Sequence, residues 1–115
     1  MTIHAHCYSK ANSRRKVRGG AFIKSVGALQ FVADASKQIQ VKPFLEGDLL
    51  LECDIYYPSR RQDLDESLVM DVFEKRWYNN DRQIRRKIIN GYIDKKSPRV
   101  VIKVTEIEWN NYGQE

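Results

Sequence analysis

Residues 48–57 read DLLLECDIYY, and Pro58 follows. Leu49, Leu51, Cys53, Ile55 and Tyr57 alternate with Leu50, Glu52, Asp54 and Tyr56. A strand turns successive side chains to opposite faces, so this stretch is a strand with one apolar face. Proline has no N–H to offer a ladder, so the strand ends there. Around this strand the rest of the chain can be ordered. Downstream, the polar run SRRQ leads to Asp63, and residues 64–75 place Leu64, Leu68, Val72 and Phe73 at helical spacing. Trp77-Tyr78 are expected to pack behind that helix, and Asn79-Asn80-Asp81 turn the chain. Two further strands are expected near 84–93 and 99–107, joined by the Asp94–Pro98 turn.

Upstream, Ile3, Ala5 and Cys7 alternate with His4, His6 and Tyr8, which predicts a half-buried strand over 2–8. Residues 11–20 are polar and basic and end in Gly19-Gly20, a tight turn or hairpin tip. Phe22-Ile23 resumes an apolar run. Ser25 can cap a helix over about residues 26–39, with Val26, Leu29, Val32 and Ala33 as its expected buried face. Pro43 and Gly47 mark the exit. The order ββαβαββ predicts an α+β fold, a single small domain over residues 1–115 with a mixed sheet and two helices. A chain of 115 residues can bury a core without disulfides or a structural metal.

No apolar run approaches the roughly 18 residues that cross a bilayer. The first residues, MTIHAHCYSK, lack a charged-then-apolar leader pattern. The expectation is a cytoplasmic protein without a membrane partner. Cys7 and Cys53 are then reduced thiols, and their spacing fits no zinc-finger pattern. His4 and His6 share one strand face, but two exposed imidazoles are the plainer reading than a metal pair.

The net charge of +5 is less telling than its layout. Residues 10–24 carry Lys10, Arg14, Arg15, Lys16, Arg18 and Lys24 and no acid. Residues 42–75 hold nine acids against four bases, and residues 76–103 nine bases against two acids. An acidic middle between basic flanks suits a polyanion held by the flanks while the acids do other work. A solvated surface explains any one charge run equally well.

Asp63 and Asp65 sit where a strand has ended and a helix begins. Asp63 with Glu66 three residues on matches a capping pattern, and early acids suit the positive helix end. Two features point beyond capping. Arg60 and Arg61 directly precede the pair, and such a cluster can hold both a phosphate and a cation. Asp81 follows on a turn one helix length later, which would return it to the helix start if the helix folds back on the sheet. Three hard oxygen donors suit Mg²⁺ or Mn²⁺ better than zinc. A divalent ion also gives a reason for acids beside a phosphate, since it can activate water and stabilise developing charge. No P-loop, dinucleotide fingerprint, nucleophile motif or small-molecule cofactor signature is present.

The segment RRQDLDE (60–66) resembles the R-x-DLDN element of the RusA family of Holliday-junction resolvases, and an apolar helix follows as in that family. WYNNDRQI (77–84) resembles the family's aromatic–x–DD–x–Q–V element, with Asp81 at the second acid. The strand ending Glu52-Cys53 and the Ser25-x-Gly27 helix entry also fit. The resemblance implies a homodimer that binds four-way DNA junctions and nicks two opposed strands with Mg²⁺ or Mn²⁺. It implies Asp63, Asp65 and Asp81 as catalytic metal ligands. Arg14, Arg15, Lys16, Arg18, Lys24, Arg60, Arg61, Arg85, Arg86 and Lys87 are the expected DNA contacts.

The departures from the family pattern are specific. Its Pro-Pro-Ser-x-Asn segment is Ser9-Lys10-Ala11-Asn12 here, and Asn80 replaces the acid before Asp81. Gln62 stands where arginine is usual. Val69 stands where a helix lysine is expected, with Arg61 or Lys75 as possible substitutes. Two alternatives therefore stay open: a non-catalytic nucleic-acid-binding module on the same fold, and a metal-dependent nuclease with broader branched-DNA or RNA specificity.

Overall fold

The computed structural model describes residues 1–8, 14–16, 22–24 and 26–108, the side chains of 14–16 and 22–24 excepted. Its elements are β1 (Thr2–Ile3), β2 (Arg14–Lys16), β3 (Phe22–Lys24), α1 (Val26–Gln38), β4 (Asp48–Tyr57), α2 (Ser67–Phe73), β5 (Ile84–Ile93) and β6 (Arg99–Ile107). Asp81–Gln83 form one 3₁₀ turn. The main sheet has the order β1-β6-β4-β5, and β2 and β3 pair in a separate ribbon. β4 runs parallel to β5 and antiparallel to β6. The fold is the small mixed α+β domain with two helices that the sequence predicts.

β4 holds the centre of the sheet because its apolar face is continuous. Leu49, Leu51, Cys53, Ile55 and Tyr57 are at most 4% exposed, while their alternates are half-buried. The buried face shares one core with Ala28, Phe31 and Ala35 of α1 and Leu68, Val69, Val72 and Phe73 of α2. Burial of such side chains stabilises the fold by about 1.5–3 kcal/mol each before chain entropy is counted.

Three expectations need correction. The first strand spans only Thr2–Ile3, paired with β6, although Ile3, Ala5 and Cys7 are buried in the expected alternation. The core face of α1 is Ala28, Phe31 and Ala35, with Val32 beside it. Val26 is 70% and Leu29 56% exposed, and Ala33 is exposed as well. Both stripes recur at helical spacing, so periodicity alone does not choose between them. Close approach decides it. A Cβ at Gly27 would stand 2.6 Å from Cζ of Tyr8, so the ring lies on the helix where only glycine leaves room. Third, α2 covers Ser67–Phe73 rather than 64–75. Leu64 precedes it and packs on Gly91 of β5. The helix stops where Glu74 turns extended and Lys75 takes a positive φ of 67°, its N–H donating to the Tyr78 carbonyl. Trp77 and Tyr78 are buried behind it, as expected. Ser25, Arg18 and Gly19-Gly20 lie outside the described residues. No helix among the described residues is long and apolar enough to cross a membrane.

Candidate active site

Tyr57 is the last residue of β4, and its buried ring reaches under the loop that carries the first two aspartates. Its hydroxyl donates to the Asp63 carbonyl at 3.2 Å and accepts the Asp65 N–H at 3.1 Å. Burial pushes the phenol pKa up, so the hydroxyl stays a protonated donor through the working pH range. Asp65 Oδ1 accepts from the Ser67 N–H at 2.9 Å and from Ser67 Oγ at 2.5 Å. It thereby satisfies a donor that the helix start leaves open.

The capping role therefore falls to Asp65, and the expected Asp63–Glu66 capping box does not form. Glu66 occupies the N-cap without a side-chain cap bond, and its Oε1 accepts from Lys87 Nζ at 2.9 Å. Asp63 is exposed and has no part in the helix start. Arg60 and Arg61 are exposed on the same loop, where Ser59 Oγ accepts the Arg61 N–H at 3.3 Å. One short segment thus presents two guanidiniums and two carboxylates. A cleft of about 410 Å³ beside it is lined by Tyr57, Ser59, Arg60, Gln62, Leu64 and Tyr92, among others.

Asp81 is held differently. Its N–H donates to Glu74 Oε2 at 2.8 Å, and its Oδ1 accepts from the Tyr78 hydroxyl at 3.0 Å. The turn around it is closed by Asn80, which accepts the Arg82 N–H, and by Gln83, which accepts the Asn79 and Asn80 N–H groups. Desolvation by burial raises the Asp81 pKa, and the nearby charges of Glu74 and Asp71 push the same way against the Tyr78 hydrogen bond. Asp81 is thus tied to Glu74 just past the end of α2, whereas Asp65 sits at the start of the helix. The turn does not bring it back to the helix start as the sequence suggested. Among the described residues, no group of three or more His, Cys, Asp or Glu is arranged to hold a metal ion. The three aspartates do not form a ready-made cage for Mg²⁺ or Mn²⁺.

The expected DNA-contacting cations fall in three places. Arg14, Arg15, Lys16 and Lys24 lie on the β2–β3 ribbon, where Arg14 pairs with Lys24 and Lys16 with Phe22. Arg60 and Arg61 belong to the aspartate loop. Arg85, Arg86 and Lys87 are exposed on β5, with Arg85 3.5 Å from Asp48. His4 is exposed, and the His6 ring stacks on Tyr8 at 4.0 Å, with burial lowering its pKa. Both cysteines are free and buried. Burial pushes the Cys53 thiol up to about 12 and raises Cys7 as well, so neither is a ready nucleophile.

Sequence reading missed two members of the site, Tyr57 and Ser67, which position the aspartate loop. It named Lys87 as a DNA contact but not as a neighbour of this loop, which Lys87 reaches from β5 through Glu66. Val69, where a lysine was expected, is fully buried. Lys75 bonds Asn79 Oδ1 on the far side of the helix end. Lys87 lies nearer because its register partner is Leu51, which turns it toward the helix-covered face of the sheet. That parallel pairing was not legible without the sheet order.

No curated protein matches the chain. A family model described as endodeoxyribonuclease RusA matches residues 7–105, a span that contains the aspartate loop, the Asp81 turn, strands β2 to β5 and all but the last two residues of β6. The chain belongs to the RusA endodeoxyribonuclease family.

Proposed function

We propose that this endodeoxyribonuclease resolves four-way DNA junctions by paired phosphodiester hydrolysis, as a homodimer that requires Mg²⁺ or Mn²⁺. The observation that carries the reading is the aspartate loop: Asp63 and Asp65 fixed between the Tyr57 hydroxyl and the start of α2, with Arg60, Arg61 and Lys87 around them. A phosphate can be held by the guanidiniums through paired hydrogen bonds. Carboxylates a few ångströms away would repel it unless a cation or a proton intervenes. The metal requirement rests on family membership and on the hard-oxygen pair of Asp63 and Asp65, with Asp81, which stands apart beside Glu74, as the third proposed ligand. Paired nicks need two sites related by symmetry, which is the reason for a dimer.

The decisive measurement uses a labelled synthetic four-way junction, with and without Mg²⁺, and maps the cut strands. Symmetric nicks that require the ion are expected, and Asp63→Asn and Asp65→Asn should bind the junction without cutting it. Wild-type protein that binds the junction but leaves it intact in both Mg²⁺ and Mn²⁺ overturns the enzyme reading. A second reading, a non-catalytic junction-binding module, is favoured by one observation: Asp81 stands with Glu74 and not with Asp65. It predicts salt-sensitive binding and no cleavage. Equal cleavage of forks, flaps and junctions would instead show a broader nuclease.

A further inference from the structure

The helix layer stops short of one corner of the sheet. Gly91 and Ile93 of β5 are the register partners of Ile55 and Tyr57, so they belong to the helix-covered face. Ile55 and Tyr57 are at most 4% exposed there, whereas Ile93 is 50% exposed. The aspartate loop covers this corner in part. Leu64, itself 47% exposed, leans on Gly91, where a Cβ would stand 3.2 Å from its Cδ1. The space left is the cleft of about 410 Å³. Gly91, Ile93 and Leu64 give it an apolar side, and Ser59, Arg60 and Gln62 give it a polar one.

We infer that this cleft takes one unstacked nucleobase of the strand being cut, and that Gln62 reads the edge of that base. The inference rests on the aspartate loop being the place of cutting. Three properties select a nucleobase. The volume falls in the range of about 300–1,000 Å³ typical of small-ligand sites, which suits one base with its sugar and not a base pair. The apolar side has no side chain at Gly91, so a flat ring can lie close to the backbone. The polar side matches the rest of a nucleotide. The Arg60 guanidinium suits its phosphate, and the Gln62 amide suits the adjoining donor and acceptor on a base edge. An amide offers two donors and two acceptor lone pairs, so Gln62 can keep the contact it already has and still pair with a base. An apolar peptide or lipid chain would gain nothing from this polar side.

The chain order places this base relative to the chemistry. Gln62 and Leu64 flank Asp63. Neighbouring residues are about 3.8 Å apart, and neighbouring nucleotides rise about 3.4 Å along a strand. A base seated between Gln62 and Leu64 therefore belongs to a nucleotide next to the phosphodiester at Asp63. Withdrawing a base costs least where its pairing and stacking are already weak. A branch point holds its bases more weakly than an intact duplex does, so the cleft couples recognition of the branch to cutting.

The test places 2-aminopurine, an adenine analogue that brightens when it leaves the stack, at successive positions through the branch point of a four-way junction. With wild-type protein and no metal, one position is expected to brighten on binding. Gly91→Val fills the apolar side and should abolish that rise and slow cutting at least about tenfold. Junction affinity should stay within about twofold, because phosphate contacts dominate it. Leu64→Ala, at a half-exposed position that the fold tolerates, should lower the rise at the same nucleotide. Gln62→Ala should narrow the spread of cutting rates over the four bases there at least about fivefold. Wild-type cutting with no position brightening, or a rise unchanged in Gly91→Val, overturns the pocket. Equal wild-type rates for all four bases overturn the role of Gln62. A rise that Gly91→Val abolishes, on a junction left uncut by wild type in Mg²⁺ and Mn²⁺, supports the pocket and overturns the enzyme reading instead. A Gly91→Val protein that turns from dimer to monomer by light scattering assigns the cleft to a second copy and overturns the base pocket.

Discussion

The Tyr57 hydroxyl is the point at which stability and the site meet, and removing one oxygen atom tests both. Tyr57→Phe keeps the ring, which is 4% exposed, so the packing volume under the loop is unchanged. What disappears is the donor to the Asp63 carbonyl at 3.2 Å and the acceptor for the Asp65 N–H at 3.1 Å. Each neutral hydrogen bond contributes about 1 kcal/mol net, and a backbone group left unpaired in a partly buried place costs about 1–3 kcal/mol. The expected loss is about 1–3 kcal/mol. For 115 residues, an unfolding entropy of about 2.1 cal/mol/K per residue makes each kcal/mol worth roughly 4 °C in Tm.

The same change frees the backbone on both sides of Leu64. Small misplacements of catalytic groups lower rates by up to roughly 100-fold. Tyr57→Phe should therefore cut a four-way junction at least about tenfold more slowly while binding it nearly as well, since Arg60 and Arg61 remain. Urea unfolding gives the stability and single-turnover cleavage gives the rate. Tyr56→Phe is the control. Its ring stacks on Tyr92 at 4.9 Å and lies under Arg99 at 3.7 Å on the other sheet face, contacts that Phe retains. A Tyr57→Phe protein with stability within about 0.5 kcal/mol of wild type and an unchanged cutting rate refutes the claim that this hydroxyl holds the loop.

Two substitutions test the rest. The Asp81 pKa is raised in the folded state, so its contribution to stability is present in acid and is lost as pH rises through the folded value; at neutral pH the charged group is a net cost. Asp81→Asn should unfold at higher temperature than wild type near pH 7, with the gain shrinking as pH falls through the carboxylate range, while cutting is lost; thermal melts from pH 3 to 8 would expose a constant or reversed difference. Gly27→Ala should destabilise, although alanine favours helix by about 1 kcal/mol, because its Cβ would meet the Tyr8 ring at 2.6 Å and displacing packed groups costs about 1–3 kcal/mol. A Gly27→Ala protein more stable than wild type by denaturant unfolding would mean that the ring moves aside freely.

The strands were legible because their signal is local. DLLLECDIYY needs only alternation and a following proline, and the residues buried in β4 are the ones it predicts. The face of α1 was not legible in the same way. Val26 and Leu29 are larger than Ala28 and Ala35, so a hydrophobicity count prefers the wrong stripe. The choice was made by the contact of Tyr8 with Gly27, nineteen positions apart in the chain. Small residues where a helix meets other elements closely look unremarkable in a sequence and become necessary only once the approach is known.

The site divides along the same line. Asp63, Asp65 and the two arginines share six residues of chain, so their proximity needed no tertiary knowledge. Asp81 depended on where a turn lands. The buried Tyr78 hydroxyl and the Glu74 carboxylate fix it past the far end of α2. Lys87 depended on a parallel register that only the sheet order supplies. The grouping visible in the sequence is the one on a single loop, whereas the approach of Tyr57 from β4 and of Lys87 from β5 is set by the sheet. A carboxylate pair on a loop can be read as helix capping, and Asp65 does cap Ser67. Among the described residues the exposed Asp63 side chain makes no such bond, and a cation from β5 already reaches Glu66, one residue past the pair. An exposed acid on the same short loop as two exposed guanidiniums is what distinguishes this loop from an ordinary helix start.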